Sequence, residues 1–245
     1  MALSLLVLED DPMVRRFLGM ACERLGVQAH LCASIAQANA ALGQGAFDAI
    51  LTDLRLADGD GLDFVASLAP YREQHPHCQI LVSSGAMDEN ARARLQALGV
   101  HHLLPKPLEL ATLQQLLGGM SAPKPAAVPT ESDRRQHAIE SHFGGNERMF
   151  RHYETLCMAQ FPADVAQADD ALQREDWIAL QHSGHNLKTV LRLLGWDGAS
   201  ALAGALEEAA TQDTAEARRL WGQLSEQLGQ LMAQGHEVPA AQRPQ

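Results

Sequence analysis

The sequence lacks three things, and each absence closes off a class of function. No two cysteines form a C-x-x-C pair: Cys22, Cys32, Cys78 and Cys157 are scattered. They read as buried thiols in a reducing compartment, not as a disulfide framework or a metal clip. No lysine- or arginine-rich stripe occurs. The chain carries 19 basic residues against 30 acidic ones, a net charge of −11. Residues 1–117 hold 8 basic and 13 acidic residues and residues 131–236 hold 9 and 16, so both halves are acidic. That field disfavours nucleic acid and anionic membrane surfaces as partners. No apolar run approaches the roughly 20 residues of a membrane span. The opening MALSLLVLEDDP has no basic start and no small-residue cleavage site, and reads as a first strand and not a signal peptide. The expectation is a cytoplasmic, soluble protein.

At 245 residues and 46% hydrophobic content, the chain is long enough for two ordinary domains. Its first half alternates short apolar runs with helical patterns. Strands are expected at 3–8, 27–32, 47–53, 79–84 and 101–105, and helices from Pro12 to about Leu25 and at 34–43, 61–74, 88–98 and 108–117. Five strands alternating with five helices predict an α/β fold, a doubly wound parallel sheet with right-handed crossovers. Residues 119–133 then bring Pro123, Pro125 and Pro129 among small and polar residues, an extended linker. From 134 to 235 strand signals vanish. A helix ending at Gly144-Gly145-Asn146 and four more at 147–174, 177–194, 198–211 and 215–234 predict an all-α antiparallel bundle. Asp176, Asp197 and Asp213 are the expected N-caps, and Pro162 is the expected site of a kink or break. Residues 236–245 read as a frayed tail.

In an open parallel sheet, ligands gather at the carboxyl ends of the strands. Those ends here carry Glu9-Asp10-Asp11, Asp53, Ser83-Ser84 and Lys106. Carboxylates crowded together repel strongly unless a cation sits among them, and an oxygen-only donor set suits Mg²⁺. Around a phosphoryl group the parts make sense. A carboxylate attacks phosphorus, a metal and an ammonium neutralise its oxygens, and a hydroxyl donates to one of them.

With those residues named, residues 1–117 resemble a response-regulator receiver domain of flavodoxin-like fold. The matching motifs are LVLEDDP, DLRLADGDG after Asp53, VSSG, and GVHHLLPKP ending at Lys106-Pro107. The resemblance implies that Asp53 accepts the phosphoryl group and that Glu9 and Asp10 form an acidic Mg²⁺ pocket. Asp10 would ligate directly and Glu9 through water, with the backbone carbonyl of Arg55 as a further ligand. It makes Ser84 the switch hydroxyl and Lys106 the phosphate-binding cation, with a cis Lys106–Pro107 bond. Two positions depart from the family pattern: Ala57 stands where proline is usual, and Leu103 where an aromatic often swings inward.

The second half raises a separate question in QHSGHNLKTVLRLL, residues 181–194, where two histidines stand three apart. At about 100° per residue, Gln181, His182, Lys188, Thr189 and Arg192 fall near His185, while Leu180, Leu187, Val190, Leu191 and Leu194 fall opposite. The wheel therefore turns the histidines outward. HNLKTVLRLLG resembles the signature of a histidine phosphotransfer domain, supported by FGGNERMFRHYETLCMAQFPADV, LQREDWIAL and ASALAGALEEAA around it, over about residues 134–234. The resemblance marks His185 as the phosphorylated residue and Lys188 as its charge-screening neighbour. Thr189 departs from it, since glycine usually follows the lysine. An imidazole of pKa about 6.5 is a good nucleophile near neutral pH.

Taken together, the resemblances imply a phosphorelay protein that binds Mg²⁺, takes phosphoryl from a sensor histidine kinase at Asp53, and exchanges it at His185 with Asp53 or another receiver. No Gly-rich ATP-binding motif is present, so the expectation is a signalling protein and not an enzyme. One rival reading makes the receiver a regulatory arm that gates access to His185 without internal transfer. Another, a Mg²⁺-dependent phosphatase, meets Arg55 where such enzymes place a second aspartate. With Ala57 and Leu103 at their positions, phosphorylating the isolated receiver is expected to change its conformation little. Large amide NMR shifts throughout helix 88–98 and strand 101–105 would contradict this.

Overall fold

The computed structural model describes residues 3–85, 89–100, 102–118 and 131–235. Most of the expected linker, and all of the expected tail at 236–245, lie outside them. The chain divides into two compact units, Met1–Met149 and Phe150–Gln245.

The first unit is built on five parallel strands: β1 (Ser4–Leu8), β2 (Gln28–Cys32), β3 (Ala49–Asp53), β6 (Gln79–Ser84) and β7 (His102–Pro105), in the order β2-β1-β3-β6-β7. Leu5, Leu6, Val7 and Leu8 on β1, and all five residues of β3, are buried. Strands covered by helices on both faces read as continuous apolar runs. Each leucine, isoleucine or valine among them contributes about 1.5–3 kcal/mol by leaving water. The edge strand β2, mostly exposed, carries no such run beyond its last residues.

Register carries the chemistry to one rim. Leu8 pairs with Cys32 and Thr52, and Asp53 pairs with Ser83. The strand order reverses between β1 and β3, so the residues following both strands face the crevice that such a reversal opens. Helix α1 (Pro12–Leu25) begins at once after β1 because Asp11 caps it, accepting from the N–H groups of Met13 and Val14 at 2.8 and 2.7 Å. One acid of the Glu9-Asp10-Asp11 run is therefore a structural cap, a use the charge pattern alone did not separate.

Helices α2 (Ile35–Leu42), α5 (Glu89–Ala97) and α6 (Leu110–Gly118) lie where the periodicity placed them. The segment expected as one helix over 61–74 is instead divided into α3 (Gly61–Ser67) and α4 (Ala69–Gln74). Pro70 lies in the first turn of α4, where its missing N–H costs nothing but cannot continue a preceding helix. Before α3 a small hairpin, β4 (Arg55–Leu56) against β5 (Gly59–Asp60), folds the chain back after Asp53. The expected helix at 134–143 starts at Glu131, as α7 (Glu131–Phe143), and falls within the first unit.

The remaining helices are α8 (Glu147–Gln173), α9 (Trp177–Leu193), α10 (Asp197–Gln212) and α11 (Thr214–Gly235), and they make the second unit an all-helical bundle. Pro162 sits inside α8 without ending it. Asp176 caps α9 through Ala179 N–H at 3.0 Å, and Asp213 accepts from Ala215 and Glu216 at the start of α11. Asp197, expected as a cap, is the first residue of α10, whose cap position is Trp196 with no side-chain hydrogen bond. Trp221 ties α11 to α8 by donating to Asp169 at 2.7 Å. None of the described helices is long and apolar enough to cross a membrane.

Gly61 is the tightest point of the first unit. A Cβ there would stand 2.1 Å from the Asp53 carbonyl oxygen and 2.6 Å from Leu54 Cα, closer than any relaxation of side chains can absorb. Gly61→Ala is expected to cost about 2–3 kcal/mol, read from the amide signals of residues 4–53 along a urea titration.

Candidate functional site

Two clusters of charge stand out, one in each unit. In the first, carboxylate oxygens of Glu9, Asp10 and Asp53 lie within 4.8 Å of one another, an arrangement that can hold a metal ion. Lys106 reaches this cluster from the end of β7, donating to Glu9 Oε2 at 2.8 Å and to Asp53 Oδ2 at 2.6 Å. Glu9, Asp53 and Lys106 are all buried, so the ammonium offsets charge where water cannot. Burial pushes the Glu9 carboxyl up, Lys106 draws it back, and Asp53 adds to the rise, leaving it at about 7. Burial by itself would lower Lys106, but Glu9 and Asp53 outweigh it and hold the ammonium above its ordinary range.

The backbone completes the pocket. Leu54 N–H donates to Asp53 Oδ1 at 2.6 Å, and Ala57 N–H to Asp10 Oδ2 at 2.8 Å. The hairpin that carries Arg55 thus folds onto the acid loop, and Ala57 contributes a backbone donor there. Arg15, one turn into α1, donates from Nη1 to the carbonyls of Glu9 and Asp10 at 2.7 and 2.9 Å. This clamp was not singled out in the sequence; its signal is a cation one turn after an N-cap that follows an acidic strand end. Ser84 closes β6 beside Pro105, and its carbonyl accepts from Lys106 N–H at 3.0 Å. The Lys106–Pro107 peptide is cis. Leu103, half-buried, packs against the core that lies under α3 and α5.

The second cluster corrects an expectation. His185 does not face outward: it is 4% exposed, and Thr189 is buried beside it. Nδ1 of His185 lies 2.9 Å from Glu207 Oε1, and Lys188 Nζ donates to Glu207 Oε2. The cause is the neighbouring helix. A Cβ on Gly184 would meet Ala203 O and Glu207 N at 3.0 Å each, so α9 and α10 touch almost backbone to backbone. A helical wheel places residues on one helix and knows nothing of the next. The apolar side was read correctly: Leu180, Leu187, Val190, Leu191 and Leu194 are all buried. His182 is only partly covered.

Glu207 is the member of this cluster that the sequence analysis did not single out. Ala199, Ser200, Ala203, Leu206, Glu207, Ala209 and Ala210 are the buried positions of α10, so the acid falls on a core face made mostly of small residues. A charge at core spacing signals a buried partner on the facing helix. Burial would raise the Glu207 carboxyl, but hydrogen bonds from His185 and Lys188, with their charges, pull it down to about 2.

A folded-state pKa below the ordinary 4.5 means that Glu207 adds stability in full above that value. The contribution drains away as pH falls toward about 2. The stability advantage of wild type over Glu207→Gln is therefore expected to narrow between pH 4.5 and 2. Tryptophan fluorescence in denaturant titrations reads this selectively, because Trp177, Trp196 and Trp221 all lie in the second unit.

The model of the response regulator receiver domain matches residues 5–118, and that of the Hpt domain matches residues 155–235. The chain is 31% identical over 114 residues to the response regulator protein PilR of Pseudomonas aeruginosa, covering 46% of this chain and 24% of PilR. It is 32% identical over 133 residues to the photosynthetic apparatus regulatory protein RegA of Rhodovulum sulfidophilum, covering 54% of this chain and 71% of RegA. A match to the sensor protein TorS of Escherichia coli runs through both units, 27% identical over 208 residues, 84% of this chain and 22% of TorS. The chain thus spans about a quarter of PilR and of TorS. With an acid pocket closed by Lys106 in one unit and a histidine set against a carboxylate in the other, the chain belongs to the response-regulator receiver family and joins its receiver domain to an Hpt domain.

Proposed function

We propose that this protein is an intermediate in two-component phosphorelay, with Asp53 and His185 as its two phosphoryl-carrying residues. The observation that supports this most is the meeting of Glu9, Asp10, Asp53 and Lys106 at one rim, from three strand ends far apart in sequence. An Asp53 carboxylate oxygen attacks phosphorus of a phosphohistidine on a sensor kinase. The P–N bond breaks as the P–O bond forms, and the result is an acyl phosphate. Lys106, already within hydrogen-bond distance of Asp53, follows the charge onto the phosphoryl oxygens. Glu9, Asp10 and Asp53, with the Arg55 carbonyl, would hold Mg²⁺, which when bound neutralises those same oxygens. Ser84 supplies a hydroxyl to the phosphoryl group.

In the second unit, Glu207 engages Nδ1 of His185. A carboxylate there stabilises the tautomer with the proton on Nδ1, which directs phosphorus to Nε2. The same carboxylate stabilises the positive imidazole that forms as the N–P bond is made. Lys188 shares Glu207 and stands one turn from His185, placed to screen the added phosphoryl charge. The partner for His185 is the Asp53 acyl phosphate of this chain or the aspartate of another receiver. Phosphoryl enters from a separate kinase, in the cytoplasm.

Wild type, Asp53→Ala and His185→Gln are to be treated with Mg²⁺ and acetyl phosphate, and the label typed by its lability, acyl phosphate failing in base and phosphohistidine in acid. Acid-labile label on His185 that disappears in Asp53→Ala is the expected result for an internal relay. Label that stays on Asp53 and never reaches His185 would refute that relay, leaving the receiver as a gate.

A further inference from the structure

The two family matches leave residues 119–154 uncovered, and that gap contains a well-formed helix. Helix α7 belongs to the first compact unit and is amphipathic. Ala138, Ile139, His142 and Phe143 are buried on it, while Arg134, Gln136 and Glu140 face water. The buried spacing of one, four and five residues makes a single stripe. Its last residue, Phe143, meets Phe17 of α1 edge to face, with ring centroids 5.2 Å apart and planes at 75°. Gly144 then follows at φ +57°, and a Cβ there would come within 3.0 Å of Leu110 Cδ2 on α6. Helix α7 also packs against α6.

Phe17 and Leu110 are 1% and 3% exposed. Without residues 131–144, Phe17 would lose its ring contact with Phe143 and Leu110 its neighbour at Gly144, and apolar surface left open in this way favours a cover. The contact also bears on the acid pocket, because α1 carries the Asp11 cap and the Arg15 clamp on the carbonyls of Glu9 and Asp10.

We infer that α7 is a built-in cover of the α1–α6 face of the receiver: the chain occupies this surface with its own segment, and a second protein gains the face only by displacing that segment. The inference depends on the receiver fold alone and stands whether or not phosphoryl passes between Asp53 and His185.

Hydrogen–deuterium exchange on the full chain tests it, comparing wild type with Phe143→Ala. Exchange in α1 and α6 is expected to rise about tenfold or more, with α9 and α10 keeping their wild-type rates. Unchanged rates in α1 and α6 would overturn the inference, as would an equal or greater loss of protection in α9 and α10. If Phe143→Ala does not fold, Phe143→Leu removes the ring contact while keeping an apolar side chain, and is read by the same two patterns.

Discussion

Both charge clusters of this protein face one constraint: a carboxylate taken out of water must find a cation or lose its charge. At the strand rim the constraint is severe. Glu9 and Asp53 are both buried, with Asp10 beside them, and their mutual repulsion is relieved by the ammonium of Lys106 lying between two of them. The rest of the first unit is arranged around that arrangement. The buried strands β1 and β3 hold the acids side by side, and Gly61 lets the hairpin fold back onto Asp53 with no room to spare. In the proposed relay the same ammonium turns from the carboxylates to the oxygens of the incoming phosphoryl group.

The second unit solves the same problem with a histidine. Glu207 is buried on α10 and is kept ionised by His185 and Lys188 from α9. What makes the contact possible is a lack of side chain at Gly184, where the two helices meet at their backbones. The price is a histidine far less open than an isolated helix would leave it. Orientation replaces openness: with Nδ1 engaged by Glu207, the ring has one nitrogen left for the phosphorus that the proposed relay would bring.

Much of the fold was legible in the chain. The buried strands β1, β3 and β6 announced themselves as apolar runs, since a strand covered on both faces has no polar side to show. Their ends named Glu9, Asp10, Asp53, Ser84 and Lys106, because a parallel sheet brings its carboxyl ends to one rim. What failed did so for local reasons. The 61–74 segment was read as one helix although Pro70 was in view. Asp197 was taken for a cap one residue too late. The outward setting of His185 was derived from a single helix, and the answer lay in the next.

By itself, then, the sequence determined the classes of the two halves and the carboxyl-end residues of the first, and it singled out His185 in the second. Periodicity and strand-end chemistry are properties of one segment at a time. Only the tertiary structure decided that Asp11 is a cap, that Arg15 clamps the acid loop, that Glu207 is the partner of His185 and that α7 lies on α1 and α6. Each of those is a contact between segments, set by how closely two backbones can approach, and no pattern within either segment carries that distance.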